Sequence, residues 1–562
     1  MTTARQQLVA DFETTTDPSD CRVWLWGMCD IDDYTALATG NNIDSFMLRL
    51  GRQDTVIYFH NLKFDGVFII DWLFRHGYEH TTEKYPRHKQ FTTLISRQGH
   101  FYQIIISHEN HVTCELRDSY KKLPFTVKKV AESFHLPEPK GEINFTTNRP
   151  IGHKPTPEEV DYVRKDVQII AQALSVQQSQ GATRLTIGSD ALAEYQSLVG
   201  MSWFRNKFPV LPTDMDSVIR SAYRGGWTYA DERYRLKPQG HGYVYDVNSL
   251  YPYVMYTQPM PYGMPIFFEG RPEDKAEMPL WVASITFTAK LKAAHVPVIQ
   301  VKNSFHFMAT EYLTAVEEPT TLCITNVDYE LWAKHYDLDI LSWNGGFYFT
   351  ARKGFFSNYI DKWTKVKQEN TGGLREIAKL FLNSLYGKFA TNPDVSGKIP
   401  VMEDNRVKLK LGPAQEREPV YTPVSVFVTA YARALTINAA QEHYDNFAYA
   451  DTDSLHLLCE TPPSDLDVHP TRLGAWKLEY EFSECLYARA KAYSEHKIAV
   501  PSSDGMSSID EWETRIAGLP RAVTKKMTMH DMVNGSVWHG KLAPKNVPGG
   551  VVLKEVAYTL QF

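Results

Sequence analysis

Apolar residues along the chain recur with two periods, and a change of period marks where strands give way to helices. Residues 8–13, Leu-Val-Ala-Asp-Phe-Glu, read as a buried strand ending in an acidic pair. Val56–His60 is a β-branched and aromatic strand, followed by a polar turn and a helix-like apolar run to Ile70 with Asp65 at its start. A Thr/Pro/Glu start at residue 156 precedes Val160, Val163, Val167, Ile170 and Leu174 at helical spacing. The segment beginning at His241 predicts a strand that delivers Asp246, then a turn, then a helix starting near Tyr251-Pro252. Trp281–Thr288 and His295–Val301 are short β-like runs. The stretch from Gly373 to Lys388 predicts a two-faced helix. Leu374, Ile377, Ala378, Phe381 and Leu385 form its apolar stripe, and Arg375, Lys379, Asn383 and Tyr386 the opposite one. Finally, Phe447-Ala-Tyr-Ala-Asp-Thr-Asp-Ser-Leu-His456 begins and ends apolar, a strand or tight hairpin with Asp451 and Asp453 in its middle.

Composition sets limits on this picture. A chain of 562 residues is too long for one core, and length alone predicts about three to five domains. With 43% hydrophobic and 22% charged residues it reads as an ordinary soluble globular protein. A net charge of −6 means that any nucleic-acid surface must be a local patch. Two such patches exist: ten Lys/Arg against five Asp/Glu from Lys362 to Lys410, and five against one from Arg521 to Lys545. Six scattered cysteines without a CxxC pair argue against a zinc or disulfide framework and for a reducing, cytoplasmic setting. No apolar run reaches the length of a signal-peptide core at the N-terminus or of a membrane span anywhere.

Carboxylates carry the candidate chemistry. Asp451 and Asp453 are close enough that ionising both is costly unless a cation lies between them, and hard oxygen ligands suit Mg²⁺. An acidic hairpin turn would show the same residues. Asp11 and Glu13 share a strand face, Asp65 opens a helix, where the dipole alone would favour it, and Tyr162 and Asp166 lie one turn apart on a third element. Four carboxylates in the order DxE, Asp, Asp, with a Tyr one turn before the last, resemble the tyrosine-bearing DEDD exonucleases. The resemblance implies two divalent cations about 4 Å apart, with the Tyr162 phenol orienting the attacking water. Thr14, His60, Asn61, Phe64, Phe68 and the stretch Asp118-Ser119-Tyr-Lys-Lys-Leu-Pro124 then suit a frayed single strand. Tyr120 departs from the aliphatic residue of that family.

Ser221-Ala-Tyr223-Arg224-Gly225-Gly226-Trp-Thr228 joins a ring, an arginine able to meet phosphate and two glycines that permit close backbone approach, though a plain loop would read alike. Asp246-Val-Asn-Ser-Leu-Tyr-Pro252 resembles motif A of family B DNA polymerases, the Lys379–Lys388 segment motif B, and Tyr449-Ala-Asp-Thr-Asp-Ser454 motif C. Thr429-Ala-Tyr-Ala-Arg433 and Lys491-Ala-Tyr493 match two shorter motifs that touch primer and template. HNLKFDG, DSYKKLPF, AYRGG, YDVNSLYP, NSLYGKFA, NPDVSGK and VPGGVV occur in the order found in protein-primed, phi29-like DNA polymerases of small phages.

That resemblance implies a multidomain α/β and α+β fold. An RNase H-like 3′–5′ exonuclease domain would occupy residues 1–186, and a right-hand family B polymerase would follow. Its palm would span 187–257 and 422–520, its fingers 350–389 and its thumb 521–562. A first insertion, 258–349, would contact a priming terminal protein, and a second, 390–421, would form a β-hairpin arm for processivity and strand displacement. Asp246 and Asp453 would hold two Mg²⁺ (or Mn²⁺) ions with help from the Val247 carbonyl, and Asp451 would assist. Lys367 and Lys379 would neutralise the triphosphate, with Lys491 near the nascent pair. Tyr251 would exclude a 2′-hydroxyl, and Asn383 and Tyr386 would check the incoming base. The implied partners are template and primer DNA, dNTPs and the terminal protein, for a monomeric, membrane-free enzyme in the cytoplasm of a bacterial host. A scaffold with decayed motifs conflicts with the presence of every expected carboxylate. A cellular, DNA-primed family B enzyme conflicts with the compact length and the 258–349 insertion, and an RNA-templated polymerase would lack the exonuclease motifs.

Overall fold

The computed structural model describes residues 5–145, 147–301 and 310–562. The N-terminal part is built on an eight-stranded sheet in the order Ala38–Gly40, Val23–Asp30, Gln6–Thr14, Thr55–Phe59, Thr113–Asp118, Phe101–Ser107, Gln90–Ile95, Glu79–His80. Gln6–Thr14 and Thr55–Phe59 run parallel at its centre, so the strand bearing Asp11 and Glu13 is covered on both faces. The helix Leu62–Arg75 lies on one face and the helix Pro157–Ser179 on the other. The latter starts where predicted because Thr156 and Glu159 form a reciprocal capping box and Pro157 needs no amide partner there. Its Val163, Val167, Ile170 and Leu174 are all buried.

The second large sheet has seven antiparallel strands: Gly505–Ile516, Ala492–Ser502, Trp476–Arg489, Gly242–Val247, Ser454–Leu458, Phe447–Asp451 and Thr228–Ala230. Its central strand therefore ends at Asp246-Val247, between the Asp451–Ser454 hairpin on one side and Trp476–Lys477 on the other. The helix Thr422–Glu442 packs beneath and its Thr436 hydroxyl donates to the Thr452 carbonyl at 2.8 Å. Two further helices, Ser357–Glu369 and Gly372–Phe389, stand at the edge of the same cleft. The apolar stripe predicted for the second is buried at Ile377, Ala378, Phe381 and Leu385, with Leu374 partly so.

A four-stranded sheet, Met260–Phe268, Tyr336–Arg352, Leu280–Leu291 and Ala315–Thr325, with the helix Asn326–His335 on it, packs against the helix Thr422–Glu442. The predicted run Trp281–Thr288 is in a strand, but His295–Val301 is not. Pro297 cannot donate to a ladder, and the segment is held instead by the Tyr336 hydroxyl and the His335 ring. A hairpin, Lys398–Glu403 with Arg406–Leu411, turns at Asp404-Asn405, both with positive φ (51° and 59°) as a two-residue turn needs. A second hairpin, Val537–Val547 with Gly550–Thr559, carries Gly549-Gly550 at its tip. The two meet each other where Asn546 donates to the Val407 carbonyl at 2.8 Å, and both pack on the Leu62–Arg75 helix. Gly550 comes so close to Phe68 that a Cβ there would be 2.2 Å from the ring.

Arg433, read from sequence as a nucleic-acid contact, is instead a buried brace. Its side chain bonds the Arg224 and Gly225 carbonyls at 2.9 and 3.0 Å and pairs with Asp328 at 2.6 Å, with 5% and 3% of the two side chains exposed. Removing one partner strands the other charge. Arg433→Leu is therefore expected to destabilise the fold by about 3–5 kcal/mol. Urea unfolding followed by fluorescence reads this loss, and a loss below about 1 kcal/mol would contradict the brace.

Candidate active sites

Asp11, Glu13, Asp65, Tyr162 and Asp166 line one cavity of about 730 Å³, together with Thr14, His60, Asn61 and Phe64. Strand alternation puts Asp11 and Glu13 on one side of Phe12, and the two covering helices bring Asp65 and the Tyr162/Asp166 face to them. Burial, reinforced by Asp166, pushes the Asp11 carboxyl up to about 7. Glu13 and Asp65 are driven well above the carboxylate range by burial and by Asp11. Asp166 is also raised by burial, although Lys140 pairs with it. The Lys140 ammonium also lies over the Tyr162 ring, 4.8 Å from its centre.

The second cleft holds Asp246, Val247, Tyr251, Lys367, Lys379, Asn383, Tyr386 and Asp453 around a cavity of about 410 Å³. Burial and then Asp453 push Asp246 up to about 8, and burial, with Asp451 adding, pushes Asp453 up to about 6. Thr452 between the two aspartates has φ +68°, so the pair sits on a turn rather than along a strand. The Asp451 carboxylate is already occupied: Lys491 donates to both oxygens at 2.7 and 2.8 Å, and Thr228 to one at 2.9 Å. Asp453 has no such partner among the hydrogen bonds of the described residues and shares the inner cavity with Asp246. Tyr251 and Tyr386 stack with ring centres 4.1 Å apart beside that cavity. Lys367 donates to the Ser249 hydroxyl at 3.1 Å, and Lys379 pairs with Glu376 at 2.6 Å. Tyr493, packed 4.9 Å from Tyr449, lines a larger adjoining cavity of about 960 Å³ with Asp451, Asp453 and Lys491.

The donor chemistry in both clefts fits hard divalent cations. Asp166 Oδ1 is buried with no partner, and the remaining carboxylates repel one another in a low-dielectric setting. Among the described residues no three His, Cys, Asp or Glu side chains form a ready-made cluster. A divalent cation held there would complete its shell with water and substrate oxygens.

Four predicted contacts are not available to a ligand. Ser119 is fully buried, donating to the Phe59 carbonyl at 3.1 Å and holding His60 Nδ1 at 3.0 Å, so it orients His60 instead. Phe68 is 1% exposed beneath the hairpin tip. Arg224 is turned inward, its guanidinium held below the usual arginine range by burial and its Nη1 committed to the Ala222 and Cys323 carbonyls at 3.1 and 2.9 Å, and Arg433 is the brace described above. Tyr223, by contrast, is exposed. Gly226 has a different purpose from phosphate approach: a Cβ there would stand 2.5 Å from the Thr452 hydroxyl, and the Trp227 carbonyl accepts from the Thr452 amide at 2.7 Å. The Ala222–Gly226 loop thus buttresses the Asp451–Ser454 turn. Sequence reading missed Lys140, Lys477 and Glu479. Lys140 sits in an irregular Pro/Gly-containing loop, and Lys477 and Glu479 reach the cleft only through strand pairing.

Comparison with known proteins agrees with this geometry. The family described as DNA polymerase type B, organellar and viral, matches residues 48–149 and 139–467. The DNA polymerase of Bacillus phage Nf is 42% identical over 574 residues, covering 99% of this chain and 100% of that one. The DNA polymerase of Bacillus phage phi29 is 41% identical over 573 residues, and that of Streptococcus phage Cp-1 31% over 581. Solved structures of phi29 DNA polymerase with primer-template DNA and incoming nucleotides, and with single-stranded DNA, superpose with a TM-score of 0.94 at 40% and 39% identity. Each covers 99% of this chain and 100% of the solved one. Membership implies dependence on a divalent cation in general terms, and the chain belongs to the type B DNA polymerases, among the phi29-like enzymes of bacteriophages.

Proposed function

We propose that this chain replicates phage DNA in a bacterial host's cytoplasm, extending a terminal protein first and a DNA strand thereafter, and that it proofreads with its N-terminal site. The observation that carries the two-activity reading is the presence of two separate carboxylate clefts, each with donor groups suited to divalent cations. When bound, two Mg²⁺ ions per cleft would activate the attacking oxygen and stabilise the leaving one. Asp246, Asp453 and the Val247 carbonyl would hold them in the polymerase cleft. Asp11, Glu13, Asp65 and Asp166 would do so in the exonuclease cleft.

The chain's own groups then divide the work. Lys367 and Lys379 face the cavity from the two helices and draw the triphosphate into it. The Tyr251 ring, fixed by its stack on Tyr386, forms a wall where a 2′-hydroxyl would collide, and Asn383 is exposed beside it to meet the incoming base. Lys491 keeps Asp451 as a paired carboxylate next to the metal pair rather than within it. In the exonuclease cleft Lys140 and Tyr162 stand beside Asp166, positioned to hold the water that attacks a terminal phosphodiester. Phe64, Thr14 and Asn61 line the approach of the frayed strand. The 398–411 and 537–559 hairpins join across to the exonuclease part, an arrangement suited to encircling DNA. That would support processive strand displacement by a monomer. The four-stranded 260–352 unit is the surface we assign to the terminal protein.

Asp453→Ala is expected to lower templated incorporation at least about a thousandfold while degradation of single-stranded DNA stays within twofold. Asp11→Ala with Asp65→Ala should give the reverse, read by primer extension and by digestion of a labelled oligonucleotide; loss of both activities in either variant would sink the two-site reading. Tyr251→Val should admit ribonucleotides, raising their kcat/KM relative to dNTPs by about a hundredfold or more. Unchanged sugar discrimination in that variant would remove Tyr251 from the gate.

A further inference from the structure

One cation in the polymerase cleft belongs to no motif. Lys477 lies on the strand Trp476–Arg489 and pairs in register with Asp246 on the neighbouring antiparallel strand. Residues directly opposite in an antiparallel pair project to the same face. Its side chain accordingly lines the inner cavity with Asp246, Lys367 and Lys379, and also the smaller adjoining one with Lys367, Arg375 and Lys379. The smaller cavity thus gathers four cations beside Asn248-Ser249 with no carboxylate in its lining among the described residues. Glu376 pairs with Lys379 and Glu479 with Lys477, each at 2.6 Å, and Asp246, Asp453 and Glu479 line the inner cavity but not the smaller one. Lys367 has no carboxylate partner among the ion pairs of the described residues; its ammonium is held below the usual lysine range by burial and by Arg375, Lys379 and Lys477. Such an unbalanced cluster is costly without an anion and well suited to a polyanion.

We propose that Lys477 binds the triphosphate tail of the incoming nucleotide, and the pyrophosphate it becomes, from the floor of the cleft. This rests on the polymerase reading above. Lys367, Arg375 and Lys379 ride on the two upright helices, whereas Lys477 is fixed to the sheet that carries Asp246. A tail held from both sides ties the helices to the sheet while the nucleotide is bound and releases them as pyrophosphate departs. Glu479, 38% exposed next to Lys477, keeps the ammonium in place between turnovers and gives it up to phosphate, a stronger charged acceptor in the cavity. The whole protein, with both activities intact, is suited to the test.

Lys477→Ala should raise the KM for dNTP about tenfold and the inhibition constant of inorganic pyrophosphate by a similar factor, with kcat within about threefold. Lys477→Arg should recover most of both. Digestion of single-stranded DNA should be unchanged, which shows that the variant is folded. If Lys477 merely neutralises Glu479, the double variant Lys477→Ala/Glu479→Gln would restore both constants, and the proposal would be overturned. It would equally fall if KM and pyrophosphate inhibition stayed within twofold in Lys477→Ala. Failure of the wild-type chain to incorporate any nucleotide would instead defeat the polymerase reading itself.

Discussion

Repulsion between carboxylates held together out of water is the constraint on which both halves of this molecule depend. In the first cleft burial and then neighbouring carboxylates raise the proton affinity of Asp11, Glu13 and Asp65. In the second, burial, with Asp453 and Glu479, raises Asp246, and burial, with Asp451 and Glu479, raises Asp453. A fold tolerates such a cluster only where rigid elements over-determine it and a cation offsets it. The chain supplies one ammonium to the first cleft, Lys140 on Asp166, and two to the second, Lys477 on Glu479 and Lys491 on Asp451. These lysines temper the repulsion but do not saturate it, which leaves each cleft with affinity for a more highly charged ion.

The rest of the architecture can be understood as support for those two charge clusters. In the N-terminal part, a strand covered on both faces and two helices bring four carboxylates from three elements to the lining of one cavity. In the polymerase part, the Asp451–Ser454 turn is held from every side. Thr436 binds its carbonyl from below, the Trp227 carbonyl binds the Thr452 amide, and Gly226 leaves room for the Thr452 side chain. The buried Arg433–Asp328 pair fixes the Arg224-Gly225 backbone that carries this buttress. Arg433 thus fixes, from one layer away, the backbone against which the Asp451–Ser454 turn rests.

This division also explains what could be read from the sequence. The carboxylates were legible because short-range order places them: alternation for Asp11 and Glu13, one helical turn for Tyr162 and Asp166, a two-residue turn for Asp451 and Asp453. The two-faced 372–389 helix was legible for the same reason. Exposure was not. Arg224, Arg433, Ser119 and Phe68 have the chemistry of nucleic-acid contacts, and only packing against distant segments reveals that carbonyls, Asp328, His60 and Gly550 have claimed them. Lys477 and Lys140 were invisible for the complementary reason. Strand register and an irregular loop bring them to the carboxylates, and neither leaves a periodic trace. His295–Val301 looked like a strand by composition, but Pro297 and side-chain bonds from the next helix and strand hold it irregular.

The most direct test of the charge-repulsion account is the pH dependence of cation-induced stabilisation. Asp11, Asp246 and Asp453 titrate near 7, 8 and 6 in the folded chain against 3.8 for an ordinary aspartate, so folding takes up protons between these values. Their contribution is complete below about pH 4 and is lost as pH rises through 6 to 8. A divalent cation competes with those protons and must restore the loss, whereas buried histidines such as His80 and His335, held near 4, shift stability equally with or without cation. The difference in Tm between Mg²⁺ and EDTA, measured from pH 5 to 8, isolates the effect. It should grow steadily across that range and flatten in Asp11→Asn/Asp246→Asn. A difference that is constant with pH, or larger at pH 5 than at pH 8, would contradict the account.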